Sequence, residues 1–134
     1  MTPAFAISTL ALSLGVIYGL ACLVSPEFAA RSVRLQADPE RPGGYSEFRA
    51  TFGGVFLGLH LAALAFILMP QKGGAVAAGV LAAGWIGAAI GRLAALFLDA
   101  EKVRNTSVNW KLVPFEMIMA LAIAAPLLQG LLSN

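Results

Sequence analysis

Six side chains can carry charge or exchange a proton inside, or at the edge of, stretches that are otherwise apolar: Glu47, Arg49, His60, Arg92, Asp99 and Glu116. Arg92 interrupts the apolar run from Gly73 to Leu98, and Glu116 follows closely on the start of the last apolar run. An ionised group in hydrocarbon costs several kcal/mol or more, so it pairs, faces a bundle interior or reaches for water. Three kinds of chemistry fit such a set. Arg and Glu can lock helices together, a carboxylate can relay protons, or arginines can attract an anionic head group with Glu116 as counter-charge. Arg92 alone could also snorkel to the head groups on its long stem, which the shorter Glu116 does poorly.

His60 lies mid-run, and Arg49, Gly53, Phe56 and His60 follow at helical spacing on one face. A haem or metal ligand, a proton relay and a hydrogen-bonded packing residue are all open to it. One His with no Cys, Met or second His at ligand spacing is a weak metal or haem signal. Packing is the favoured reading, and no metal or other cofactor is expected. Paired Ser and His motifs, a phosphate loop and a metal cluster are lacking, so no catalytic residue is assigned and an enzyme is not expected. Cys22 is the only cysteine and reads as a free apolar-face thiol.

The elements that must position these residues follow from composition. The 134 residues are 59% hydrophobic and 12% charged, with a mean hydropathy of +0.82. Soluble domains carry roughly 25% charged residues. No Asp, Glu, Lys or Arg occurs from Met1 to Pro26, Ala50 to Gln71, Gly73 to Gly91 or Met117 to Asn134. Each run approaches the roughly 20 residues of a spanning helix. The expectation is an all-α, single-domain chain over 1–134: a bundle of four transmembrane helices near 4–24, 48–69, 74–98 and 112–132. The segment before Pro26 has no Lys or Arg, so it reads as a retained helix rather than a cleaved signal.

Charge then sets topology. Arg31, Arg34, Arg41 and Arg49 fall in or beside the first connection, and Lys102, Arg104 and Lys111 in the third, whereas the second has Lys72 alone. The positive-inside rule puts the two long connections in the cytoplasm and both termini outside. Without a basic run interleaved with aromatics, nucleic acid is not an expected partner. Ser25-Pro26 should cap a short interfacial helix, with Glu27, Arg31 and Arg34 on one stripe. A turn-rich linker, Asp38 to Gly44, follows, and Ser46 is the expected cap of the second span. Pro70 should end that span ahead of a tight turn from Gln71 to Gly74. Pro114 is tolerated early in the fourth span, and Pro126 should kink it. Tyr45 and Trp110 suit the cytoplasmic interface.

On this topology Arg92 lies roughly 9 Å short of Leu98 and Glu116 roughly 6 Å beyond Leu112, at 1.5 Å per residue. The two are therefore expected at similar depth and within pairing reach. Asp99, seven residues after Arg92, returns to nearly the same face, and Glu47 and Arg49 enter the second span at the same level. All five charges are expected to converge in one layer. Small residues recur every four positions: Gly79, Ala83, Gly87 and Gly91 in the third span, Gly54, Gly58 and Ala62 in the second, Gly15 and Gly19 in the first. Close backbone approach drives helix association in lipid. Packing within the bundle is the favoured use, with self-association or docking on another subunit as the sharper one.

The segment Ser46-Glu47-Phe48-Arg49-Ala50-Thr51-Phe52-Gly53-Gly54-Val55-Phe56-Leu57-Gly58-Leu59 resembles a family of small four-helix bacterial inner-membrane proteins, catalogued as a domain of unknown function. The shared pattern is a Glu-x-Arg entry to the second helix, an aromatic-Gly-Gly and a Gly-Leu, with Ser46 where Asn is as often expected. Gly91-Arg92 matches a Gly-Arg late in the third helix, and Glu116 an acidic residue early in the fourth. The resemblance covers nearly the whole chain and implies the four-span fold, but it supplies no activity, and His60 belongs to no such pattern. Two functional expectations result. One is a non-catalytic accessory or scaffold subunit that docks on a larger membrane complex or self-associates. The other is a protein that binds or transports a small lipid-like or anionic ligand, such as a lipid or quinone, at the cytoplasmic Arg/Glu cluster.

Overall fold

A computed structural model describes residues 2–41, 43–69, 73–103 and 108–133. Lys72 and Arg104, used above for topology, and the turn positions Pro70 and Gln71 lie outside the described residues. Every regular element among the described residues is helical. Helix α1 runs Pro3–Val24 and α2 Pro26–Val33. The second long helix, Gly44–Leu68, is built from α3 (Gly44–Glu47), a π-helical segment (Phe48–Val55) and α4 (Phe56–Leu68). Then come α5 (Gly74–Leu98), the short α6 (Ala100–Val103) and α7 (Val108–Leu132). Four of these helices are long and apolar enough to cross a membrane.

The four long helices form a ring. α1 packs on the second long helix and on α7, and α5 packs on α7 and α4. Thr2 Oγ1 donates to Gln129 Oε1 at 2.9 Å, which sets the start of α1 beside the end of α7. The core joins Leu12, Ala63, Ile67, Ala82, Met119 and Ile123. Facing outward instead are large apolar side chains of every long helix, among them Leu10, Ile17, Leu59, Val80, Ile90 and Leu121. A helix apolar around its whole circumference needs an apolar environment on its outer side as well.

Boundaries differ from expectation at two points. α7 starts at Val108, earlier than 112, because Asn109 and Lys111 are polar yet helical. The second long helix starts at Gly44 with Gly43 as cap, so Ser46 lies inside the first turn, where its hydroxyl donates back to Gly43 O at 2.7 Å. Ser25 does cap α2, accepting from the Phe28 N–H at 3.2 Å ahead of Pro26. Pro114 and Pro126 both lie within the continuous α7. Pro126 brings no N–H to the carbonyl of Ala122. One residue along, the buried Ser8 hydroxyl of α1 donates to Ile123 O at 2.8 Å, bracing the interrupted stretch.

Helix α2 lies across the end of the bundle. Its Ala29 and Ala30 are buried with Cys22 and Phe48, and Glu27, Arg31 and Arg34 stay exposed. The Ser32 hydrogen goes to Ala29 O at 2.8 Å, so the Tyr18 hydroxyl must donate to Ser32 Oγ at 2.7 Å. That bond ties α2 to α1.

Candidate functional site: a polar layer at one end of the bundle

Arg92 and Glu116 meet. Arg92 Nε lies 2.6 Å from Glu116 Oε1, joining α5 to α7. The two side chains are 36% and 6% exposed, so the carboxylate is enclosed and the guanidinium reaches outward. A charge-assisted bond of this length is among the stronger hydrogen bonds a protein makes. Only half of the carboxylate is used: Glu116 Oε2 is buried without a hydrogen-bond partner. Because α7 starts at Val108, Glu116 is about 12 Å along it at 1.5 Å per residue, farther from the helix start than the sequence arithmetic placed it.

Arg49 and Glu47 reach other surroundings than this pair. Arg49 sends its Nη1 to the last carbonyls of α1, those of Leu23 and of Val24, the latter at 3.1 Å. A guanidinium there satisfies acceptors a helix end leaves open and sits at the negative end of the helix dipole. Glu47 is exposed and lines a separate open groove of about 580 Å³ with Leu35, Phe48 and Thr51. Residues two apart on a helix do not share a face, so Glu47 cannot follow Arg49 onto α1. Asp99 is the C-cap of α5, its N–H bonded to Ala95 O at 3.0 Å. It lies about 10 Å along the axis from Arg92.

His60 is 1% exposed and fully engaged. Trp85 Nε1–H can only donate, so His60 Nε2 accepts from it at 3.2 Å, and Nδ1 carries the hydrogen given to Phe56 O at 2.8 Å. Phe56 stacks on the imidazole at 4.1 Å between centroids, and Trp85 meets both rings edge-on. With both nitrogens committed, His60 packs helices and is not poised as a metal ligand or relay. Sequence reading missed Trp85 as its partner. The signal was present: Trp85 and Arg92 are seven residues apart in an otherwise apolar helix, which places both on one face.

The glycines divide into two groups. A Cβ on Gly15 would fall 1.9 Å from the His60 ring, and on Gly19 or Gly53 within 2.6 Å of the facing backbone at Leu57 or Leu23. These three let α1 and the second long helix touch. The stripes of the second and third spans behave otherwise. Gly54, Gly58 and Ala62 are exposed, as are Ala83, Gly87 and Gly91. A Cβ on Gly58, Gly84, Gly87 or Gly91 would meet nothing within 4 Å. Only Gly79 packs inward, under the tip of Leu127. Spacing of four marked the stripes, but it does not say which way they face.

No family model, curated protein or solved structure matches the chain. The likeness drawn from Ser46 to Leu59 therefore rests on the motif residues themselves.

Proposed function

We propose that this chain is a multi-pass protein of a bacterial inner membrane that acts by association: an accessory or scaffold subunit whose α5 offers its small-residue face to another transmembrane helix. The carrying observation is that Ala83, Gly84, Gly87 and Gly91 face away from the bundle. In lipid, small residues of this kind let two backbones approach closely. Within the fold α5 is held on α7 by the Arg92–Glu116 bond, and it is the least buried of the four long helices. The groups able to do chemistry are spent on structure: His60 on Trp85 and Phe56, Arg49 on the end of α1. That supports a non-catalytic role. The basic residues of the first and third connections favour a cytoplasmic position for the α2 end, with both termini outside.

Gly87→Leu tests the reading. Its Cβ meets none of the chain's own atoms within 4 Å, so the thermal unfolding midpoint in mild detergent should stay unchanged. Size-exclusion chromatography with light scattering, alongside mass spectrometry of co-purifying proteins, should show loss of the oligomer or of the partner subunit. An unchanged assembly in Gly87→Leu would remove α5 from the interface.

A further inference from the structure

At the α2 end of the bundle a second cavity, of about 210 Å³, opens between α2, the end of α5 and the start of α7. Drug-sized ligands occupy roughly 300–1,000 Å³, so this space suits a small group rather than a whole amphiphile. Arg34, Arg92, Ser32 and Asn109 supply its polar lining, with Val33 and Leu112 between them.

Three features make the lining electropositive. Arg92 meets Glu116 through Nε alone, and its two terminal nitrogens make no bond among the described residues. Arg34 has no acidic partner among the described residues, and its backbone is fixed: it adopts φ 60° and closes α2 with its N–H on Ala30 O and Arg31 O. Among the described residues the lining holds these two cations and no carboxylate, while Glu116 pairs with one of them from outside it. The first two turns of α7, a 25-residue helix, supply Asn109 and Leu112 to the wall, and a helix start carries the positive end of the dipole.

Asn109 adds a neutral donor to the lining. The residue is only 8% exposed, yet its amide has no hydrogen-bond partner among the described residues. Placed in a cavity with two guanidinium groups, it can donate to the same anion they attract.

We propose that this cavity binds a phosphate group, with Arg34 and Arg92 holding the anionic oxygens and Asn109 donating a further hydrogen bond. Arginine matches phosphate through paired N–H donors, and the small cavity volume matches a head group. Apolar side chains are exposed beside Arg92 at Leu93, Phe97 and Leu98, a surface on which acyl chains can lie. The phosphate is therefore that of an anionic phospholipid. This site is independent of the small-residue face of α5 and stands or falls separately from it.

The test is calorimetric titration of the full chain in an uncharged detergent with dihexanoyl phosphatidylglycerol, inorganic phosphate and phosphate-free dihexanoylglycerol. Arg34→Asn removes the charge while suiting the left-handed backbone, and Arg34→Lys retains the charge. Asn109→Asp keeps the shape but puts a negative charge in the cavity. Saturable binding of the phosphatidylglycerol is expected, weakened about tenfold or more by Arg34→Asn and Asn109→Asp and largely kept by Arg34→Lys. Inorganic phosphate saturating the site with the same variant pattern would also support it, with free phosphate as the source. Binding of neither phosphate compound overturns the proposal. So does unchanged affinity in both charge variants, or equal affinity for dihexanoylglycerol.

Discussion

Removing one member of a buried polar pair strands the other, and two pairs here allow that to be measured. Trp85→Phe keeps an aromatic ring beside His60 but deletes the donor to Nε2. A stranded buried acceptor should cost about 1–3 kcal/mol, read as a lower unfolding midpoint in detergent. Arg92 and Glu116 are best tested as a cycle. Arg92→Leu alone leaves the enclosed Glu116 without its cation, and Glu116→Leu alone leaves a cation without its carboxylate. The double replacement should lose less than the sum of the singles, with a coupling energy between about 0.5 and 3 kcal/mol. Zero coupling would mean the two side chains do not hold α5 to α7. The pairing itself was legible, since each residue stood alone in an apolar run at compatible depth. Arg49 was not, because its partners are backbone carbonyls at the end of α1, and a carbonyl has no residue type to read.

At the scale of elements, the contact between α1 and the second long helix depends on a π-helical segment that spacing did not announce. Phe48–Val55 carries Arg49 to the end of α1 and sets Gly53 against the Leu23 backbone. The Phe56 N–H reaches five residues back, to Thr51 O, the bonding that defines such a segment. Two adjacent glycines sit in it with opposite surroundings. Gly53→Ala would bring a Cβ within 2.6 Å of Leu23 backbone, whereas on Gly54 the nearest atom is Arg49 O at 3.7 Å. Gly53→Ala should therefore destabilise by about 1–3 kcal/mol, as overpacking does. Gly54→Ala should be neutral or raise stability by up to about 1 kcal/mol, since alanine favours the helix. Thermal unfolding of the two variants in one detergent checks both signs. The four long helices were readable because charge-free length is a direct physical requirement for crossing hydrocarbon. Their ends were readable only within a turn: charge marks the edge of an apolar run, and α7 extends past that point to Val108.

For the whole molecule, the proposed association turns on which outward surface differs from the rest. Every long helix exposes large apolar side chains, as expected of helices surrounded by lipid. On α5 the stretch Ala83, Gly84, Gly87 and Gly91 differs, because it offers backbone rather than bulk. Sequence spacing found this stripe but favoured packing within the bundle. The folded chain fills that need with Gly15, Gly19 and Gly53, and a Cβ on Gly84, Gly87 or Gly91 meets nothing within 4 Å. Disulfide trapping in native membranes tests the claim most directly. The chain's own Cys22 is buried, so one cysteine placed at Gly87, or at the exposed Leu121 of α7 as a control, is the only outward thiol. Gly87→Cys should give a covalent dimer or a fixed-mass adduct with one partner subunit, and Leu121→Cys should remain monomeric. Equal trapping at both positions, or none at Gly87, would contradict an association face on α5.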